Sequence, residues 1–335
     1  MLTRIQQWTV ASAIAGATFI GAAQAAPLEE LNFGIISTAS SQNLKEQWDP
    51  FLADMGKQTG MKINAFFAPD YAGIIQGMRF DKVDIAWYGN KSAMEAVDRA
   101  GGEVIFKTVA ANGNAGYWSI LVAHKDSSIN SVEDMLANAK DLNFGNGDPN
   151  STSGYLVPGF YVFAQNGVEP SQIFKRTLNS SHEVNALSVA NKRVDVATFN
   201  TEGMERLEET NPDKAAELKV IWKSPLIPSD PIVWRKNLPE ETKTQILDFL
   251  GNYGSNEAEL AVLNGLQWAP FERSGNDQLL PIRQLDLFKK RSDIEADTTL
   301  GDADKARQIE ELDAALEQLN ARMEELDGQK TASAS

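Results

Sequence analysis

Apolar runs the length of a strand alternate with amphipathic runs the length of a helix through most of this chain, and this alternation restricts the fold more than any other feature. Residues 31–36 and 62–68 have the length and the β-branched or aromatic content of buried strands. The segment 42–57 between them gathers its large apolar side chains on one helical face: Leu44, Trp48, Phe51, Leu52 and Met55. Repeated strand, helix and strand units predict an α/β fold around a parallel sheet.

Two breaks rich in glycine or proline divide this repetition, ANGNAG at 111–116 and SPLIPSDP at 224–231. If the chain after the second break packs on the unit before the first, it crosses twice between two lobes and leaves a cleft between them. We then expect three parts. Residues 26–113 and 228–300 form a discontinuous first lobe, residues 114–227 form the second lobe, and residues 301–335 form a C-terminal helix and tail. Two sequential domains on a simple linker remain the alternative.

The first 25 residues have the character of a secretory signal. Arg4 gives a positive start, the stretch from Trp8 to Ala23 is nearly all apolar or small, and Ala23-Gln24-Ala25 fits the small-x-small cleavage pattern. A membrane anchor is the alternative, but the apolar run is shorter than the roughly 20 residues that a spanning helix needs. We therefore expect export, with cleavage after about Ala25.

The absence of cysteine and the acidic balance exclude several classes of function. A chain with no cysteine has no disulfide, no thiolate metal site and no cysteine nucleophile. A net charge of -15 disfavours binding to nucleic acid or to an anionic membrane surface, and it repels small anions at long range. Any anion site in this chain must therefore be made of well-placed local donors.

The C-terminal segment carries a separate pattern. Its apolar residues recur at alternating spacings of three and four, which is the a/d seam of a coiled helix: Ile309, Leu312, Leu316, Leu319, Met323 and Leu326. This seam either packs on the body of the protein or joins two copies in a homodimer.

Polar residues collect where the predicted strands end. In an open parallel sheet, ligands bind beyond the carboxyl ends of the strands, because loops and helix N-termini converge there. The residues in these positions are Ser37, Thr38, Asp70, Tyr71, Tyr88, Asn90, Tyr117, residues 146–153, residues 180–182, residues 200–202 and Asp230.

Ser151, Thr152 and Ser153 are the densest group among them, and they stand at a predicted helix start. One hydroxyl would suffice as an N-cap, so three after the flexible GNGDPN stretch favour a site in which hydroxyls and backbone N–H groups hold an oxyanion. His182, at the next helix start, is able to donate to the same anion, although a lone histidine is more often structural. Taken singly, Glu202 and Asp230 fit a solvated surface equally well, and Tyr71, Tyr88 and Tyr117 fit half-buried packing positions.

Eight stretches, spread in order over residues 31–290, resemble the periplasmic phosphonate-binding proteins of phosphonate ABC transporters. They are LNFGIIST, NAFFAPDYAGIIQGMRF, VDIAWYGN, SAMEAVDRA, GYWS, FGNGDPNSTSG, NTE and VIWKSPLIPSDPIVWRKNLP. The resemblance implies a type II periplasmic binding protein fold, in which two α/β lobes close on a small-molecule phosphonate and present it to an inner-membrane ABC permease. Phe199 and the segment after about Arg291 depart from the family's pattern.

The resemblance also implies a role for each candidate residue. It assigns contacts with the phosphonate oxygens to Tyr71, Tyr117, Ser151, Thr152, Ser153 and His182. It assigns the ammonium of 2-aminoethylphosphonate to Glu202 and Asp230. An acidic protein would then place two carboxylates near an anion because they meet the other end of a zwitterion.

The leading interpretation is a periplasmic, non-enzymatic receptor with no cofactor and no metal, which captures alkylphosphonates for phosphorus uptake. Phosphate or phosphite is an alternative ligand, but either would leave Glu202 and Asp230 without a cation. An alternative from another class is a secreted phosphoester or phosphonoester hydrolase, with His182 as base and a serine of residues 151–153 as nucleophile. The sequence has no G-x-S-x-G turn and no evident metal cluster to support it.

Overall fold

A computed structural model describes residues 26–333 of the chain, so the expected signal segment lies outside the described residues. The strands are β1 (Glu30–Ile35), β2 (Lys62–Phe67), β3 (Ile85–Trp87), β4 (Gly102–Ala110), β5 (Gly116–Tyr117), β6 (Ser119–His124), β7 (Asn143–Gly147), β8 (Arg176–Ser180), β9 (Val196–Asn200), β10 (Leu218–Lys223), β11 (Ile227–Pro228), β12 (Pro231–Arg235) and β13 (Trp268–Arg273).

The α-helices follow the strands in the order that the periodicity predicts. They are α1 (Ser41–Thr59), α2 (Tyr71–Arg79), α3 (Asn90–Arg99), α4 (Val132–Asn138), α5 (Pro170–Ile173), α6 (His182–Ala190), α7 (Thr201–Thr210), α8 (Pro212–Ala215), α9 (Glu240–Asn252), α10 (Glu257–Gly265), α11 (Leu280–Ala296) and α12 (Asp302–Ser333). None of the helices within residues 26–333 has both the length and the hydropathy of a membrane-spanning helix.

The strands form two main sheets, and these define the two lobes. The sheet of the first lobe has the order β13-β4-β12-β3-β1-β2, and the sheet of the second lobe has the order β10-β6-β9-β7-β8. Both sheets are mixed, so the predicted parallel pairing holds only for β1 with β2 and β3, and for β7 with β8 and β9. In the first lobe, β12 returns after the second crossing and pairs antiparallel with both β3 and β4. In the second lobe, β6 enters after the first crossing and pairs antiparallel with β9 and β10.

The two crossings between the lobes lie side by side. β5 and β11 pair antiparallel, with Tyr117 opposite Ile227 and Gly116 opposite Pro228. A Cβ atom on Gly116 would lie 2.0 Å from the carbonyl oxygen of Ile227, so only glycine allows the two strands to approach this closely. The two sequence breaks therefore form one connection of two short strands behind the cleft.

Aromatic side chains dominate the core of the first lobe. Phe51 lies at the centre of this cluster, and its ring contacts the rings of Phe33, Trp48, Phe249, Tyr253 and Phe271. The residues come from β1, α1, α9 and β13, so the core joins segments from both ends of the chain. This packing holds the part of the chain that follows the second crossing on the unit that precedes the first.

The C-terminal helix α12 packs on α11 of the same chain. Leu316 of the seam is buried, and Arg291 Nε donates to Asp313 Oδ1 at 2.7 Å between the two helices. The other five seam residues are half-buried. The seam therefore contacts the body of the protein, and a homodimer through this helix stays a prediction.

Helix α11 contacts both lobes. Arg283 forms an ion pair with Asp98 of α3 in the first lobe, and Lys289 lies against Gly159 in the second lobe. The assignment of residues 228–300 to the first lobe alone stays a prediction for this helix.

Replacement of Phe51 by alanine should lower the free energy of unfolding by about 3–5 kcal/mol, because it removes a fully buried ring and leaves a cavity among five others. Urea unfolding followed by tryptophan fluorescence measures this change. Phe80→Ala is the matched control, since the Phe80 ring is 65% exposed; its effect should stay within about 0.5 kcal/mol. Equal losses in the two variants would contradict this account of the core.

Candidate ligand-binding site

A cleft of about 610 Å³ lies between the lobes, in front of the paired crossings. The structure brings all eight sequence-predicted site residues to its wall: Tyr71, Tyr117, Ser151, Thr152, Ser153, His182, Glu202 and Asp230. Each stands at a strand end, at a helix start or on a crossing, as the topology requires. The cleft is therefore the candidate site, and its chemistry follows from the partners of these side chains.

The helical segment that follows β7 begins at the three hydroxyl residues with unusually wide turns. Ser151 caps it, since its Oγ accepts from Gly154 N at 3.0 Å. The N–H of Leu156 then reaches back five residues to the carbonyl of Ser151, and the same π-type spacing recurs over Gly159–Phe163. Pro158 lies between the two wide turns and has no N–H for a regular α-helical bond. The predicted regular helix over residues 154–165 thus starts two residues earlier, with the wide turns that often occur at functional sites.

The oxygen atoms of the three hydroxyls already accept hydrogen bonds from protein N–H groups. Ser151 Oγ accepts from Gly154 N, Thr152 Oγ1 accepts from Lys91 N at 2.8 Å, and Ser153 Oγ accepts from Asn200 Nδ2 at 3.1 Å. A hydroxyl that accepts from an N–H keeps its own hydrogen for another acceptor. By position, the N–H groups of the first helical turn also have no intrahelical partner. This end of the cleft is thus a set of donors suited to an oxyanion.

His182 lies among these donors as a neutral ring. The N–H of Gly203 donates to Asn200 Oδ1 at 2.6 Å and thereby fixes the Asn200 amide, so that its Nδ2 faces His182 Nε2 at 3.4 Å. Nε2 is then an acceptor, and the ring hydrogen sits on Nδ1, a buried atom that has no partner among residues 26–333. Burial lowers the pKa of His182 to about 4.

Asp230, on the second crossing, is buried at the other end of the donor set. Its Oδ1 accepts from Tyr117 Oη at 2.9 Å and from Asn90 Nδ2 at 3.4 Å. Burial, and then the nearby charge of Glu202, raise the pKa of Asp230 well above its usual value. Burial likewise raises the phenol pKa values of Tyr71 and Tyr117, and the charge of Asp230 adds to both effects, so each phenol keeps its hydrogen and can donate it.

Glu202, in the first turn of α7, is half-buried, and none of the described residues hydrogen-bonds its carboxylate. Burial, and then the charge of Glu205, raise its pKa to about 7, and the charge of Arg206 opposes them. Glu202 and Asp230 therefore form an acidic pair in which, among the described residues, neither carboxylate has an ion-pair partner. This pair lies in the same cleft as the donors for an oxyanion.

Several polar residues at strand ends have other roles. Tyr88 is buried and donates to the carbonyl of Ile74 at 3.1 Å, while Asp70 and Ser181 cap α2 and α6. His124 lies on the far end of β6, where its Nε2 is 2.9 Å from Glu217 Oε2. These residues stabilise local structure and do not line the cleft.

Trp87 and Phe199 are cleft residues whose roles the sequence did not reveal. Trp87 is the last residue of β3, and its indole Nε1 is buried without a partner among the described residues. Its ring also packs on Trp48 and Trp268, so it belongs to the aromatic core as well as to the cleft wall. Phe199 is buried beside the His182 ring. A Cβ atom on Gly203 would lie only 2.7 Å from the Phe199 ring, so Phe199 packs closely at this wall and supports the site.

Comparison with known proteins identifies the family of the chain that contains this cleft. The family model described as "ABC transporter, phosphonate, periplasmic substrate-binding protein" matches residues 33–279. The chain belongs to this family. The site residues from Tyr71 to Asp230 all lie within the matched range.

The relatives agree with this membership. The chain is 63% identical over 290 residues to a phosphonates-binding periplasmic protein of Escherichia coli, covering 87% of this chain and 86% of the relative. It is 67% identical, with a TM-score of 0.88, to a crystal structure of a binding protein component of an ABC phosphonate transporter from Pseudomonas aeruginosa, covering 90% of this chain and 99% of that one. A phosphate-import protein of Mycolicibacterium smegmatis is 30% identical over 209 residues, which are 59% of this chain and 64% of that protein.

These findings confirm two of the sequence predictions, the fold and the role in transport. The fold is the type II periplasmic binding protein fold, with two α/β lobes, a cleft and a helical C-terminal region. The chain is the periplasmic phosphonate-binding component of an ABC transporter, so a membrane permease is its partner. The family is described as one of periplasmic substrate-binding proteins.

The buried histidine makes stability depend on pH. The pKa of His182 is about 4 in the folded chain and about 6.5 when unfolded, so the unfolded state binds more protons between these values. The stabilisation is complete above pH 6.5 and is lost as the pH falls towards 4. Between pH 7 and pH 5, the free energy of unfolding of the wild type should fall by about 2 kcal/mol more than that of His182→Asn, which cannot titrate. Urea unfolding of the ligand-free chain at the two pH values checks this, and parallel losses would contradict it.

Proposed function

We propose that the chain captures 2-aminoethylphosphonate with high affinity and presents it to the permease, with the phosphonate on the donor end of the cleft and the ammonium between Glu202 and Asp230. The observation that carries this proposal is the acidic pair. Burial raises the pKa of both carboxyl groups, and the charge of Glu202 raises the pKa of Asp230 further. Neither carboxylate forms an ion pair among the described residues, although the charge of Arg206 partly opposes the shift of Glu202. An ammonium supplies the missing charge.

The donor end supports the other half of the proposal. A phosphonate has three oxygen atoms with several lone pairs, and it needs convergent donors in the absence of water. The hydroxyls of residues 151–153 and the phenol of Tyr71 are such donors. Tyr117 and His182 line the same cleft, where the Tyr117 phenol donates to Asp230 and His182 Nε2 lies 3.3 Å from Ser151 Oγ. None of them carries a positive charge, so the site holds the anion through hydrogen bonds and the helix N-terminus.

The acidic pair predicts that one substitution changes the affinity for one ligand and leaves the affinity for another almost unchanged. Glu202→Gln removes the charge but keeps the shape, so it should weaken 2-aminoethylphosphonate about tenfold or more, since a charge-assisted hydrogen bond contributes roughly 1.5–3 kcal/mol. Methylphosphonate has no ammonium, and its affinity should stay within about twofold. Isothermal titration calorimetry measures both.

The exposed Glu208, one helical turn and a half further along α7, gives the matched control. Glu208→Gln makes the same change of charge outside the cleft and should alter neither affinity. Equal losses of the two phosphonates in Glu202→Gln would exclude the ammonium role of Glu202.

Phosphate is the second candidate ligand, because the chain is 30% identical to a phosphate-import protein over part of its length. Phosphate would fill the donor end but leave the acidic pair without a partner. We therefore expect the order of affinity to be 2-aminoethylphosphonate, then methylphosphonate, then phosphate. Calorimetry in which phosphate or phosphite binds more tightly than 2-aminoethylphosphonate would replace this proposal with a phosphate-binding function.

We also propose that the chain does not turn its ligand over. His182 Nε2 lies 3.3 Å from Ser151 Oγ, which is within reach for a general base. A ring with a pKa near 4 and no group orienting its Nδ1 is a poor base at neutral pH, however. Phosphorus NMR of a prolonged incubation should show unchanged 2-aminoethylphosphonate.

We further propose that the exported form begins near Ala26. N-terminal sequencing of the exported protein identifies the cleavage site.

A further inference from the structure

Three helices of the first lobe begin at the cleft, and each receives a hydrogen-bond acceptor from a side chain of the second lobe. Ser40 N, at the start of α1, donates to Glu183 Oε2 at 2.9 Å. Tyr71 N, at the start of α2, donates to Asp148 Oδ2 at 3.1 Å, and Lys91 N, at the start of α3, donates to Thr152 Oγ1 at 2.8 Å. The acceptors come from two separate places in the second lobe, the segment after β7 and the start of α6, so the arrangement is not one local contact.

The contact at α1 completes a helix cap from across the cleft. Ser40 is the N-cap of α1, and its side chain accepts from Asn43 N at 3.2 Å. In a capping box, the residue three positions after the N-cap returns a carboxylate or amide oxygen to the N-cap N–H. Here that residue is Asn43, which instead donates its own amide to Glu183 Oε1 at 2.5 Å. Glu183 therefore takes the place of the missing acceptor.

The same replacement occurs at α3. Its N-cap is Gly89, which has no side chain to accept from the first turn. Thr152 supplies the acceptor for Lys91 N, two residues after the cap, and a Cβ on Gly89 would lie 3.3 Å from Thr152 Oγ1. Because Gly89 has no side chain, no residue in the described part of the first lobe caps this helix start. The same absence leaves room for Thr152 from the second lobe.

We propose that Glu183 and Asp148 are latch residues, which cap helix starts of the first lobe only when the lobes are closed and thereby set ligand affinity through closure. In an open form these N–H groups return to water, and on closure they meet carboxylates that the positive helix N-termini favour. Each side chain has both of its oxygens engaged by protein donors, since Asp148 Oδ1 accepts from Asn150 N at 2.7 Å. The latch rests on the proposed function only in that closure accompanies ligand binding.

A double-mutant cycle on Glu183 and Asn43 tests the latch, with 2-aminoethylphosphonate as the probe. Glu183→Ala should weaken binding about fivefold to tenfold, as expected for a partly exposed charge-assisted contact. Asn43→Ala should weaken it about twofold to threefold, and the double variant should bind as Glu183→Ala does, because the two residues act on one contact. The loss should appear in the dissociation rate measured by stopped flow, with the association rate unchanged.

The ligand-free chain separates a latch from a merely structural residue. Glu183→Ala should leave the ligand-free Tm within about 1 °C and reduce the rise in Tm on ligand addition, whereas a structural role would lower the ligand-free Tm as well. Glu183→Gln keeps an acceptor and should recover part of the affinity, and Glu208→Gln is the control for loss of a surface charge.

Additive losses in the cycle, or an affinity of Glu183→Ala equal to that of the wild type, would overturn the latch. A wild-type chain that does not bind 2-aminoethylphosphonate overturns the proposed ligand instead. In that case, methylphosphonate or phosphate serves as the probe, and the same cycle decides the latch.

Discussion

A carboxylate that is taken from water without a cation is an unfavourable group, and this cleft contains two of them. Asp230 is held by Tyr117 and Asn90, while Glu202 relies on its helix start and on the partial influence of Arg206. The rest of the structure keeps the pair in place at this cost. The aromatic core of the first lobe fixes β12, β12 follows Asp230 directly, and the packed β9–α7 junction presents Glu202. Under the proposed function, the ammonium of the ligand offsets this cost.

The connection behind the cleft gives the lobes a common axis. β5 and β11 touch through Gly116, and a small apolar cluster lies beside them, formed by Tyr117, Leu156, Val157, Ile227, Ile282 and Leu285. Ile282 and Leu285 belong to α11, which also contacts both lobes. Any relative movement of the lobes must therefore pivot close to Tyr117 and Asp230, which line the cleft.

The sequence predicted the order of the elements and the composition of the site because both depend on local patterns. The amphipathic pattern over residues 42–57 located α1 within two residues, and the rule that ligands bind at strand ends placed all eight candidate residues on the wall of one cleft. It missed the strand directions, because the insertion of β12 between β3 and β4 is decided by a contact across more than a hundred residues. It also missed the wide turns after Ser151 and the role of Glu183, since a helix pattern shows neither how many residues a turn contains nor what lies on the facing lobe.

The two ends of the cleft reside on separate pieces of chain. The oxyanion donors come largely from the segment after β7, whereas the acidic pair comes from the start of α7 and from the second crossing. Mutation can therefore alter one end without disturbing the other. If the proposed division of the site holds, a gene duplicate altered at only the codons of Glu202 and Asp230 would keep its donors for the phosphonate and meet a different organic substituent, which gives the scaffold a short mutational route to new substrates.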